Sequence, residues 1–108
     1  MARAKLQRLT EQMYYILLSL LEEDRHGYSI MQAVLGITQG AVVIGAGTLY
    51  TLLARFEGEK IIEKTAEEDN RKTYKITPYG CEILQNEYER LCQQVKDGAA
   101  NLGRDMHV

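Results

Sequence analysis

The apolar period of this chain changes twice, and that change limits the folds open to it. From Leu9 to Glu23 the apolar side chains stand at Leu9, Met13, Ile16, Leu17, Leu20 and Leu21, the spacing of a helix with one buried stripe. Thr10 or an earlier residue suits its cap, and Asp24-Arg25-His26-Gly27 reads as its end, Gly27 fitting a left-handed position. A second helix is predicted from about Tyr28 to Leu35, with Ile30, Met31 and Val34 inward and Gly36 and Gly40 breaking it. The run 41–45 is β-branched but too short for more than a single bridge. A third helix is predicted over Thr48 to Glu59, with Leu49, Leu52, Leu53 and Phe56 on one buried face.

The period then switches. Segments 61–66 and 72–77 are β-prone and flank the polar turn Glu67-Glu68-Asp69-Asn70-Arg71. Ile62, Lys64, Tyr74 and Ile76 alternate as a half-exposed hairpin requires. Thr77 before Pro78 suits the cap of a last helix, predicted from near Tyr79 to about Lys96. There Leu84, Tyr88, Leu91 and Val95 step by 4, 3 and 4, the spacing of a coiled-coil seam. Such a seam, placed after a domain that is already complete, needs another surface, and a second subunit is the simplest one.

The expected architecture is α+β, mostly α: a winged helix-turn-helix with a C-terminal dimerisation helix. Residues 1–78 form the winged domain, 79–97 the dimerisation helix, and 98–108 a frayed tail. In such a fold one helix enters the DNA major groove with its N-terminal residues at base edges, and the hairpin contacts the flanking backbone or minor groove.

Charge bears on this reading through its distribution. The net charge of −2 does not advertise a nucleic-acid partner. Residues 1–80 hold ten Lys/Arg and ten Asp/Glu, so the deficit lies wholly in the C-terminal segment, and contact with phosphate is expected from the first 80 residues. Apolar runs are far shorter than the roughly 20 residues that span a bilayer. The first twelve residues lack the apolar region of a signal peptide, so the expected compartment is the cytoplasm, with no membrane partner.

Three groups stand in order along the chain: His26-Gly27-Tyr28, Gly47-Thr48-Leu49-Tyr50, and Tyr74-x-Ile76-Thr77-x-x-Gly80. With the segments around them (26–32, 45–57 and 71–80) and the helix that follows, they resemble the PadR family of bacterial transcriptional regulators, in its short subfamily with a single C-terminal helix. The likeness spans about residues 8–95. It implies a homodimer held by the C-terminal and N-terminal helices, an inverted-repeat operator in double-stranded DNA, repression, and in many relatives release by a small aromatic or drug-like effector. One departure stands at the third-helix exit: Lys60 occupies a place where the family usually has glycine, and Gly58 one usually filled by a helix former. Lys60 can cover the C-terminal end of the helix dipole, and Gly58 can let the helix end early.

The expected DNA-facing residues follow. Thr48, Tyr50, Thr51 and Arg55 share the outer face of the third helix; Thr48 and Thr51 can donate to phosphates or base edges, Tyr50 can meet phosphate or a thymine methyl, and Arg55 can pair with phosphate. Gly47 opens that helix, whose free N–H groups suit a phosphate. In the wing, Arg71 and Lys72 are the first phosphate candidates, with Lys64 and Lys75 behind them. The acidic Glu67, Glu68 and Asp69 would repel DNA, so the shoulder of the wing is expected to touch the backbone. Ser29 and Gln32 are expected to reach phosphate from the second helix, and Arg3, Lys5 and Arg8 form a basic arm. The alternative for each group is an ordinary solvated face, a salt-bridged hairpin or a frayed start. His26 is expected to be a structural cap or turn residue, the alternative being a ligand or base, and Tyr28 a packed residue with its hydroxyl bonded.

Met13, Leu17, Tyr88 and Leu91 are candidates for an effector pocket between the first and last helices of two subunits; the alternative is plain dimer core. Cys81 and Cys92 lie three turns apart on one helix, about 16 Å along its axis, which excludes a disulfide within the chain. Two cysteines and two distant histidines make no metal motif, and no cofactor is implied. No nucleophile–base pair, phosphate loop or paired carboxylates suggest an enzyme. The remaining rival is a winged-helix module that binds protein rather than a DNA sequence.

Overall fold

A computed structural model describes residues 8–103. The elements in chain order are α1 (Glu11–Glu22), β1 (Arg25–His26), α2 (Gly27–Thr38), α3 (Ala46–Gly58), β2 (Ile62–Glu68), β3 (Arg71–Ile76) and α4 (Pro78–Leu102). The chain is thus mostly helical with one small antiparallel sheet, as the two changes of period predict.

Helix α1 begins where Thr10 accepts the Met13 N–H at 3.2 Å. Met13, Ile16, Leu17 and Leu20 are buried as expected, whereas Leu21 lies outside the stripe and is 55% exposed. The helix ends at Glu23 in extended backbone, not at a left-handed glycine. That extension lets Arg25 and His26 pair with Tyr74 and Thr73, adding a third strand that two residues cannot announce by periodicity. The sheet order is β1-β3-β2.

Helix α2 runs through Gly36, correcting the expected break, and closes at Gln39 in the left-handed region with φ 52°. The Gln39 and Gly40 amides donate to the Gly36 and Leu35 carbonyls, so a 6→1 and 5→2 pair of hydrogen bonds closes the helix end. The 41–45 run forms no strand; it buries Val42 and Ile44 and exposes Val43. Helix α3 starts earlier than expected, at Ala46, and buries Leu49, Leu53 and Phe56, with Leu52 half-buried.

The exit of α3 repeats the closing pattern of α2. The Lys60 amide donates to Glu57 at 3.1 Å and the Ile61 amide to Phe56 at 2.9 Å, while Lys60 itself sits at φ 63°. A lysine there carries the left-handed strain that glycine avoids. Lys60→Gly is therefore expected to stabilise the chain by about 0.5–1 kcal/mol, read as a higher midpoint in urea denaturation with an unchanged slope.

The wing is a hairpin closed by a two-residue turn, Asp69-Asn70, with φ 51° and 63°, the mirror-image geometry that fits the strand twist. Its register pairs Ile62 with Ile76 and Glu68 with Arg71, with an irregularity between Lys64 and Ala66. Behind it, Thr77 caps α4 by accepting the Gly80 N–H at 2.9 Å, and its hydroxyl reaches the Lys60 and Ile61 carbonyls at 2.7 and 3.0 Å. Helix α4 extends past the expected end at Lys96 to Leu102, closing at Gly103 with φ 69°, so residues 98–102 are helical rather than frayed. The remainder of the expected tail lies outside the described residues.

Near its middle, α4 is tied to the segment that enters α1. Glu87 is buried and accepts the Arg90 Nε–H at 3.1 Å, a second Arg90 N–H, and the Leu9 backbone N–H. The Arg90 guanidinium holds the Glu87 carboxyl below its ordinary value of 4.5; burial opposes this, and the Leu9 amide and Arg8 add to it. A depressed carboxyl contributes stability above its unfolded value, and that stability is lost as pH falls through the folded value. Glu87→Gln is expected to cost about 1–2 kcal/mol at neutral pH. It should also flatten the loss of stability as pH falls below about 4.5, which melts across an acid series would read.

Candidate nucleic-acid interface

Helix α3 presents one continuous outer face. Thr48, Tyr50, Thr51 and Arg55 are all exposed, while Leu49, Leu53 and Phe56 fix the opposite face in the core. The N-cap residue, Gly45, makes no side-chain cap. A Cβ at Gly45 or Gly47 would meet nothing within 4 Å, and neither residue has positive φ. The N-cap and the second residue of α3 thus carry no side chain, although nothing inside the chain requires glycine at either place.

The four residues differ in freedom. Arg55 donates to Glu59 at 3.0 Å across one turn. The Tyr50 ring lies over the start of α2: a Cβ on Gly27 would stand 2.5 Å from the Tyr50 hydroxyl. The Gly27 of the His-Gly-Tyr group therefore leaves room for the Tyr50 of the Gly-Thr-Leu-Tyr group, rather than ending α1.

On α2, His26 is a cap, one of the two structural roles that the sequence leaves open, its Nδ1 accepting the Ser29 N–H at 3.3 Å. The Ser29 hydroxyl accepts from Arg25 at 3.0 Å, so this phosphate candidate already has a charged partner. Arg25 also donates to the Ser19 carbonyl at 2.8 Å and pairs with Glu22 at 2.5 Å, binding the end of α1 to α2. Gln32 is exposed on the rim of an open groove of about 520 Å³, shared with Glu22, Arg25, Ser29, Gly36 and Ile37. Tyr28 is 62% exposed rather than packed.

The cations of the wing divide into two pairs. Lys64 bonds Glu67 at 2.9 Å, which raises the lysine and lowers the carboxyl in pKa, and Lys75 lies 3.5 Å from Glu63. Arg71 and Lys72 are exposed and form no ion pair among the described residues. Both line a cleft of about 430 Å³ with His26, Tyr28, Tyr50, Asp69 and Tyr74. Burial, then Glu57 and Tyr50, holds the Tyr74 phenol above its ordinary value. This cleft joins residues more than forty positions apart, and only the co-occurrence of the tyrosine-bearing motifs hints at it.

Of the basic arm, Arg8 is exposed, and Arg3 and Lys5 lie outside the described residues. Within the single chain Leu17 is fully buried and Met13 nearly so, in the chain's own core, while Tyr88 is exposed and Leu91 half-buried on α4. Helix α1 packs against α4, and burial raises the Tyr14 phenol, with Tyr15, Tyr88 and Cys92 near enough to add to it. Among the described residues no cluster of His, Cys, Asp and Glu could hold a metal ion, and no helix is long and apolar enough to cross a membrane.

A transcriptional regulator from Clostridium thermocellum shares 34% identity and superposes with a TM-score of 0.69, over 77% of this chain and 84% of that one. A PadR family transcription regulator from Clostridium difficile has the same fold at 21% identity and a TM-score of 0.67, over 82% of this chain and 94% of that one. The transcriptional regulator YqjI of Escherichia coli is 28% identical over 72 residues, 67% of this chain and 35% of that protein. The chain spans between 23% and 63% of the length of curated relatives that it matches. The model of the PadR-like family of transcriptional regulators matches residues 16–86, most of the winged domain and the start of α4, and the chain belongs to that family.

Proposed function

We propose that this chain binds DNA sequence-specifically as a homodimer on an inverted-repeat operator and acts as a repressor. The observation that carries this reading is the outer face of α3. Four side chains able to meet phosphate or base edges stand exposed beside a helix start whose N-cap and second residue are glycines. A glycine in a helix costs up to about 1 kcal/mol against alanine, and close approach by an outside backbone is a reason to keep it. Thr48 and Thr51 are assigned to base edges. Arg55 and the wing cations, with Gln32 and Ser29 at the margin, are assigned to phosphate.

The exposed seam at Tyr88 and Val95, with Leu91 half-buried between them and Leu84 at its inner end, is the assigned dimer contact. Two copies of α3 must sit roughly 34 Å apart to read both half-sites. Anything that changes the subunit angle at the seam changes that distance. An aromatic effector seated near Tyr88 and Leu91, with Met13 and Leu17 in the core behind them, would need to favour a misspaced state by only about 2.7 kcal/mol to weaken operator binding a hundredfold. An aromatic ligand that binds without shifting any of these four side chains removes the effector site from the proposal.

The test is a titration of the protein against its own upstream intergenic DNA at several salt concentrations, beside a scrambled duplex. The expected result is tight binding that the scramble loses, with log affinity falling linearly in log salt. Equal, weak binding to both duplexes, with capture of a protein ligand by the same surface, would favour the protein-interaction module instead.

A further inference from the structure

We propose that the cleft between the start of α2, Tyr50 and the wing is a seat for one DNA backbone phosphate, held by Arg71, Lys72 and the Tyr50 hydroxyl, with Gly27 positioning Tyr50. The proposal rests on the DNA-binding reading and adds a division of labour to it: Tyr50 becomes a backbone ligand, not a reader of bases.

Three observations carry it. The first is the choice of free cations. In register, Glu67 stands opposite Lys72 and Glu68 opposite Arg71, yet neither pair closes to an ion pair, whereas Lys64 and Lys75 are both paired with carboxylates. The two cations of the wing that form no ion pair are the two that line the cleft, Lys72 acting on Glu67 only at longer range and Arg71 also bordering a second cleft beside Glu68. The second is the placement of Tyr50. Its ring crosses the α2 start at a distance that any side chain on Gly27 would obstruct, so its hydroxyl lies at the α2 edge of the cleft. The third is the character of the lining: phenols at Tyr28, Tyr50 and Tyr74, two cations, and a single carboxylate, Asp69, at the hairpin tip. Phenols donate to phosphate oxygens and carry no base-edge pattern. Asp69 repels a polyanion from the tip, which leaves the Arg71 and Lys72 side of the cleft as the place for a phosphate.

Arg71→Gln and Lys72→Gln should each weaken binding to the operator and to a scrambled duplex by the same factor, roughly tenfold at about 0.1 M salt, and reduce the salt slope by about one per protomer. Tyr50→Phe should weaken both duplexes by a common factor and leave the preference between them intact. Gly27→Ala should reproduce the Tyr50→Phe loss with little change in thermal melting, because the obstructing atoms are the far end of one flexible side chain. If Gly27→Ala melts early, Tyr50→Phe and the two charge variants carry the test. In a methylphosphonate scan of the duplex, one position should weaken the wild type and leave Arg71→Gln unaffected. An unchanged salt slope in both charge variants would overturn the proposal. So would a loss of sequence preference in Tyr50→Phe, which would make Tyr50 a base reader. A wild type that ignores sequence, but whose slope falls in Arg71→Gln, would instead overturn the sequence-specific reading and leave the seat standing.

Discussion

Gly80→Ala is expected to destabilise the chain by about 3–4 kcal/mol, among the largest effects open to a single added methyl. The Cβ would stand 2.2 Å from the Ile61 carbonyl oxygen and 2.8 Å from Ile76 Cγ1. The first obstacle is backbone, and that backbone is fixed. The Ile61 carbonyl accepts the Thr77 N–H at 3.0 Å and its hydroxyl at 3.0 Å, and the Ile61 amide closes α3. Relief would require α4 to lift from the corner between α3 and β2, breaking the Thr77 contacts and disturbing the wing base together. Thermal melts of both proteins at one concentration should show a fall of roughly 15 °C. A fall of only a degree or two would mean that α4 can shift without cost, and that this corner does not set its position.

Leu91→Glu is expected to turn the protein monomeric and to lower operator affinity by about 10²–10⁴-fold. Linking two half-site contacts converts the second into an intramolecular event of about that worth. Leu91 is half-buried in the single chain between the exposed Tyr88 and Val95, so a carboxylate there would be desolvated by a second copy but solvated in a lone chain. Sedimentation and DNA titration of one preparation test this, with circular dichroism to show that the monomer stays folded. A monomeric variant that keeps full operator affinity would sink the dimeric reading. A variant that remains dimeric would place the seam elsewhere on α4.

Both predictions fall on residues that the sequence had already marked, but for different reasons. Gly80 stands in the Tyr-x-Ile-Thr-x-x-Gly group, where a motif without structure says only that glycine is used. The contact with Ile61 says why. The same holds for Gly27, which the sequence presents as a helix stop and which the tertiary structure makes the floor under Tyr50. Lys60 is the reverse case. Its departure from the family pattern was visible in the sequence, and its left-handed backbone shows that the lysine stands in the geometry glycine would fill without strain.

What the sequence determined by itself is the order and type of the main elements, the buried faces of α1, α2 and α3, the caps at Thr10 and Thr77, and the outward face of α3. These depend on contacts within a few residues, where the 3.6- and 2-residue periods and local hydrogen bonding act. What only the tertiary structure decided is the third strand at Arg25–His26, the passage of α2 through Gly36, the commitment of Ser29 to Arg25, and the assembly of the cleft from α2, α3 and the wing. Each of these depends on contacts between elements. A two-residue strand has no period, a helix glycine breaks or continues according to what packs around it, and a cation is free or spent according to which carboxylate the fold brings within reach.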